Sequence, residues 1–323
     1  GVLAQETDPI RFARSVDVDF GDLRYAGMAG DVAIRLRDLK STSDLTTGDV
    51  ALRLRGSGRP APSIDLGITK LDLDGGFRYA DRALSLALND RTRLSLASLQ
   101  VDGDPILAAP ITLRVRSGDG STIAGRTSHP AGVDYDLSLV HSQLALNLPD
   151  ADGPTAFDFE GGSLRATGNS EAMTLNWTSA GMAVADLSLS LDRFKLDATL
   201  HGLSGGLRGT ARLRSTLHHT AEKEAVLPLA LALDARLAAG VLSATAKLHD
   251  TGERIVLTGE ARHSLETGSG EAAFRAKRIE FLETVFQPQE LFPALADIEA
   301  RIDGWADLAG TAAWSAGGFD SGM

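Results

Sequence analysis

Gly202-Leu203-Ser204-Gly205-Gly206 spells G-x-S-x-G, the pattern that presents a nucleophilic serine for acyl transfer. That chemistry needs a strand before the serine and a helix directly after it. The next residues, LRGTARLRSTL, alternate as a strand does, so the segment reads as a glycine-rich hairpin turn. Asp17-x-Asp19, Asp72-x-Asp74-Gly75 and Asp134-x-Asp136 look like pieces of calcium loops. Such a loop needs further oxygen ligands and a late bidentate glutamate, and neither is present. Aspartates at i and i+2 of a strand share its solvent face. His218-His219 has no third ligand at metalloprotease spacing and reads as a solvated loop. No P-loop occurs, nor any G-x-G-x-x-G between a strand and a helix. These residues assemble no catalytic set: the expectation is a protein that is not an enzyme, with no metal and no cofactor.

The elements around them are strands. From Val16 to about Phe274 apolar residues recur with period two, as in VAIRLR, VALRLR, LSLAL, ITLRV and LALNL. The stretch DLSLSLDRFKLDATL (186–200) puts Leu187, Leu189 and Leu191 on one side of an extended chain. Turn formers lie between the stripes: Gly56-Ser57-Gly58, Gly75-Gly76, Asn89-Asp90, Gly118-Asp119-Gly120, Gly161-Gly162 and Gly205-Gly206. This spacing predicts about twenty short strands, mostly about 5–7 residues, in meandering hairpins. HHTAEKEAVLP (218–228) reads as a long hairpin loop within one domain. One departure stands out. Ile279, Leu282, Val285 and Phe286 recur at helical spacing, and Pro288 suits the first turn of a second short helix, predicting a helical pair near 278–296.

Composition narrows the function. A net charge of −11 opposes nucleic-acid binding and attachment to an anionic membrane surface. The chain has no cysteine, so neither disulfides nor thiolate metal sites arise. Its apolar content is aliphatic, with aromatics at 5%. No apolar run approaches the roughly 20 residues of a transmembrane helix. Opening on GVLAQETDP and ending on WSAGGFDSGM in mid-rhythm, the chain reads as a piece of a longer polypeptide, with any anchor outside it.

Three architectures place many aliphatic stripes on one face. A membrane barrel needs strands of about 9–11 residues and aromatic girdles, which 3 Tyr and 3 Trp cannot build. A sandwich buries the stripes against a second sheet. An open, curved sheet lines a groove with them, and a large exposed apolar surface marks a binding face. Aliphatic lining with few polar groups suits acyl chains, whose burial gains about 0.8 kcal/mol per methylene and asks for no specific partner. Periodicity alone leaves sandwich and groove open.

The segment FQPQELFPALADIEARIDGWADLAGTAAWSAGG resembles the C-terminal part of the YdbH proteins, which belong with the AsmA-like and TamB-like envelope proteins. The likeness rests on Phe286, Pro288, Leu291, Pro293 and Leu295, followed by strands written IEARIDG and ADLAGTAAW. The resemblance implies a long curved antiparallel sheet forming an elongated apolar groove that carries phospholipids between inner and outer membranes. It also implies a periplasmic location, an inner-membrane anchor and an outer-membrane partner outside this chain. The chain is far shorter than members of that family. The expected organisation is β-groove repeats over 1–276, a helical insertion over 277–297 and continuing strands over 298–323. Expected groove-lining residues are Val50, Leu52, Leu54, Leu84, Leu86, Leu88, Ile111, Leu113, Val115, Leu144, Leu146, Leu148, Leu187, Leu189, Leu191, Leu229, Leu231 and Leu233. The competing expectation is a structural or adhesive extracellular β-repeat protein with a closed core.

Overall fold

The structure, a computed structural model, describes residues 15–25, 28–42, 44–61, 64–101, 103–126, 129–148, 155–184, 189–203, 205–219, 227–282, 287, 301–315 and 318–320. Twenty strands run through them, all in antiparallel pairings, and no helix occurs among the described residues. They are β1 Ser15–Tyr25, β2 Met28–Ser41, β3 Leu45–Ala61, β4 Ile64–Ala80, β5 Ala83–Leu88, β6 Arg93–Val101, β7 Asp104–Pro105, β8 Ile111–Val115, β9 Thr122–Arg126 and β10 His129–Leu148. The second half holds β11 Thr155–Gly168, β12 Ala172–Val184, β13 Leu189–His201, β14 Arg208–His219, β15 Leu229–Ala238, β16 Val241–His249, β17 Val256–Ser264, β18 Gly270–Phe281, β19 Gly304–Ser315 and β20 Gly318–Asp320. Two compact units emerge, Gly1–Leu146 with Ser163–Ser170, and Asn147–Gly162 with Glu171–Met323.

Many strands are far longer than the expected 5–7 residues: β3 and β4 have 17 each and β10 has 20. The reason lies in the glycines. Gly56-Ser57-Gly58, Gly75-Gly76 and Gly161-Gly162, read from sequence as turns, all sit inside strands. Gly30 and Gly56 face each other across β2 and β3, and a Cβ on either would run into the other strand's backbone. In-strand glycine marks close backbone approach as well as turns. Strands this long meet a membrane barrel's length requirement, so the scarcity of aromatics alone speaks against one. His218 and His219 likewise end strand β14 rather than occupying a loop. The helical pair near 278–296 fails where it can be followed: Ile279 and Phe281 are strand residues of β18, facing Ala306 and Gly304. Residues 283–286 and 288–296 of that expectation lie outside the described residues.

In the first unit β1 to β4 form a meander, after which β4 forks. Residues 64–72 pair with β6 and residues 75–80 with β5. β10 closes the fork, pairing with β9 and with β8. Where the ladder splits, side chains take over from backbone partners. Buried Thr92 donates its hydroxyl proton to Asp74 O (2.9 Å) and accepts from Asp74 N (3.1 Å). Ser121 Oγ accepts from Ser138 N at 2.9 Å. Buried backbone groups left unpaired would each cost about 1–3 kcal/mol, so these hydroxyls make the fork tolerable.

The second unit is a plain meander from β12 to β19, each strand antiparallel to the next. Its apolar stripe stays on one face through a repeated device. At Arg193 (φ 54°) the β13–β14 register shifts by a residue, so Leu189 and Leu191 are followed on the same face by Phe194 and Leu196. Arg278 (φ 54°) does the same between Ala276 and Ile279, and in the first unit Asp38 (φ 49°) does it between Leu36 and Leu39. Each is a bulge with a left-handed residue, in the sequence frames LDRF, AKRI and LRDL. Bulges increase local twist, and two buried clusters of this unit sit beside them. Ile255, Ala276, Ile279 and Phe281 form one. Phe159, Trp177 and Phe194 form the other, with ring centroids 4.3–5.3 Å apart.

Candidate functional site: the apolar face of the sheet

Register, rather than any single residue, builds the site. In the first unit Leu54 faces Val32 and Leu71, Leu71 faces Leu94, and Leu94 faces Leu113. Leu52 lies between Ile34 and Leu73, and Val50 between Leu36 and Gly75. Ile111 faces Leu96. On the other arm of the fork Leu84, Leu86 and Leu88 face Tyr79, Phe77 and Gly75. Val115 faces Leu139, and Leu146 bridges Leu107. The expected residues that these ladders align share a face but not an environment. Ile111 and Val115 are buried, Leu84 is 38% exposed, and Val50, Leu52, Leu54, Leu86, Leu113 and Leu144 are half-buried. Leu187 and the side chain of Leu148 lie outside the described residues.

In the second unit the apolar face resolves into lanes crossing the strands. One lane runs Trp177, Leu196, Leu213, Leu233, Ala246, Gly259, Phe274, Gly310, each residue the direct cross-strand partner of the next. Two residues along each strand lies a second: Leu175, then Ala198, Ala211, Ala235, Ala244, Ala261, Ala272 and Ala312. Beyond it a third runs Met173, Leu200, Gly209, Leu237, Leu242, His263, Gly270, Trp314. Small side chains alternate with larger ones over eight strands, a width of about 34 Å at 4.8 Å spacing. Leu191, Leu229 and Leu231 lie outside these lanes on the same face: Leu191 and Leu229 both face Leu217, and Leu231 faces Leu248.

The face is not covered by a second layer among the described residues. Leu229, Leu231, Leu233 and Leu237 are all half-buried, as are Ala198, Ala211, Ala235, Ala244, Ala261 and Ala272. Leu242 and Phe274 are 36% and 40% exposed. Inward-facing residues of a sandwich pack to interior density instead. Rings also patch the glycine gaps. A Cβ on Gly310 would collide with the Phe274 ring, and one on Gly270 with Trp314, whose Nε1 donates to His263 Nδ1 at 3.1 Å.

The opposite face is charged. Arg212 Nε donates to Asp234 Oδ1 at 2.7 Å, and Arg214 approaches the same carboxylate at 3.5 Å. The hydrogen bond from Arg212 holds the Asp234 carboxyl below its usual range; within the first unit that from Arg165 does the same for Asp136. Exposed pairs of this kind are screened by solvent and contribute little, so they fix which face meets water more than they stabilise the fold. Three cavities of this unit open here: one, of about 900 Å³, lies behind the alanine lane, and no leucine lines it. The leucines form a level face, not the walls of an enclosed pocket.

The residues that could have carried chemistry lie on strands and turns of the sheet. Gly202 and Gly206, with φ of 68° and 70°, turn β13 into β14, so a strand succeeds the G-x-S-x-G segment; Ser204 itself lies outside the described residues. Asp72 takes Lys70 at 2.6 Å, while Asp74 Oδ1 accepts from Asn89 Nδ2. His218 Nε2 lies 3.1 Å from Asp192. Among the described residues no group of three His, Asp or Glu is placed to hold a metal. The sequence alone gives no sight of the alanine lane or of the Phe159–Trp177–Phe194 cluster. The one-residue slip of the apolar phase in LSLDRFKL signals the bulge that brings Phe194 to the cluster, but the lane exists only in the register. No family model matches the chain, nor does any curated protein or solved structure.

Proposed function

We propose that this chain is a periplasmic segment of a bridge-like protein that carries phospholipids between inner and outer membranes. Acyl chains lie against the apolar face of an elongated open groove while headgroups remain in water. The alanine lane flanked by leucine and aromatic lanes, in register over eight strands and half-exposed along its length, supports this reading. Its aliphatic lining offers an acyl chain contact with no fixed polar partner, so lipid slides without a chemical step. The resemblance of residues 286–318 to YdbH proteins agrees with it, and would put the membrane anchor and outer-membrane partner outside this chain. Native mass spectrometry of the purified chain tests the reading. Co-purified phospholipid is the expected result. A lipid-free chain that also takes up no phospholipid from vesicles would favour the alternative, a structural β-repeat protein.

A further inference from the structure

We infer that the charged face of the second unit holds a separate site for an oxyanion borne on a polyhydroxyl scaffold, a sugar phosphate in chemical class. The site is independent of the lipid reading, because it lies on the other side of the sheet. The cavity of about 900 Å³ spans β12 to β17 between two rows of side chains. One row, aligned by strand register, is Thr174, Thr199, Thr210, Arg236, Ser243, Arg262. The other is Asn176, Asp197, Arg212, Asp234, Thr245, Glu260.

The two rows differ in what is already spoken for. In the second, Asn176 Nδ2 donates to Asp197 Oδ1 at 2.8 Å, Lys195 lies 3.5 Å from Asp197, and both Arg212 and Arg214 reach Asp234. In the first, neither Arg236 nor Arg262 has an ion pair among the described residues, and the hydroxyls of Thr199, Thr210 and Ser243 make no hydrogen bond there. Ser243 sits directly between the two arginines, whose strands are about 10 Å apart. Two guanidinium groups at that spacing converge on one oxyanion above the serine hydroxyl, and each presents a planar fork suited to phosphate.

The rest of the trough sets the scaffold. Thr210 and Thr199 continue from the arginines as free hydroxyls, with Asp197 and Asn176 opposite, so donors and acceptors line both sides as a polyol requires. At the other end Glu260 lines the cavity and Glu271 is the cross-strand partner of Arg262, which turns a second anion away and fixes one orientation. With the whole chain at −11, background electrostatics repel anions, so saturable binding requires a local site.

The experiment is calorimetric titration of the whole chain with glucose 6-phosphate, with inorganic phosphate and glucose as separate arms. Glucose 6-phosphate should bind saturably and about tenfold or more tighter than either alone. Both arginines are exposed, so Arg236→Gln and Arg262→Gln should keep the thermal transition and each lose about tenfold in affinity. Thr210→Val should weaken glucose 6-phosphate but not phosphate. No saturable binding, or binding unchanged in the double arginine variant, overturns the site. Phosphate binding as tightly as glucose 6-phosphate overturns its polyhydroxyl half.

Discussion

Ala244→Asp puts a carboxylate in the middle of the alanine lane, opposite both Ala235 and Ala261. Ala244 is half-buried on a face that no second layer covers among the described residues, so the new charge reaches water and the fold should lose only about 0.5 kcal/mol. The lipid should lose far more. An acyl chain laid along the lane advances about four methylenes for each inter-strand step of roughly 4.8 Å. Pressed against one face, it realises about half of the 0.8 kcal/mol available per methylene. Excluding it from the two steps beside residue 244 removes about eight such contacts, roughly 3 kcal/mol, or about 150-fold in affinity. The assay is titration of a fluorescent fatty acid, run beside a urea unfolding curve. Unchanged affinity in a folded variant refutes the lane as the acyl path. A stability loss above about 4 kcal/mol refutes the open face, because that magnitude belongs to a charge forced into a closed core.

Arg193→Gly should leave stability unchanged or raise it by up to about 1 kcal/mol, since glycine adopts the left-handed φ of 54° freely, whereas Arg193→Val should destabilise by about 1–3 kcal/mol; chemical denaturation of both separates the cases. Gly310→Val should drive the Phe274 ring out of its seat and cost about 1–3 kcal/mol, read as a lowered thermal midpoint. Asp250 is 2% exposed, and although burial raises its pKa, bonds from Ile255 N (3.0 Å) and Arg254 (2.8 Å) outweigh that and leave it below 3.8. A folded pKa below the unfolded one means its contribution is present above about pH 4 and is lost as pH falls through the folded value. The wild-type acid-unfolding curve should therefore steepen below pH 4, and Asp250→Ala should flatten it. His141, buried on β10, has its pKa lowered by burial, so stability should also fall as pH drops below 6.5, an effect absent in His141→Gln.

Period two was legible from the first strands, because alternation needs only a burial difference between two faces. Strand length was not. Gly75-Gly76 has the composition of a turn, yet β5 comes so close to Gly75 that a Cβ there would collide with the Ala87 backbone. Ile279 and Leu282 are three apart, as on one side of a helix, yet Ile279 is buried with Phe281 on β18 while Leu282, just past the strand, is exposed. Leucine stripes such as Leu229–Leu231–Leu233 showed which residues share a face. They could not show that Ala235, Ala244 and Ala261 line up across strands, since register comes from pairing and not from any one segment. Nor could they distinguish buried Val115 from exposed Leu84, whose difference arises at the fork of β4.

Photo-crosslinking reads out which face of the sheet meets lipid. A photoreactive residue replacing Ala235, on the alanine lane, is compared with one replacing Thr245, on the charged face, in protein incubated with radiolabelled phospholipid vesicles. Lipid adducts should form at 235, with none above background at 245. Equal labelling at both positions, or labelling at 245 alone, would contradict an acyl path along the apolar face.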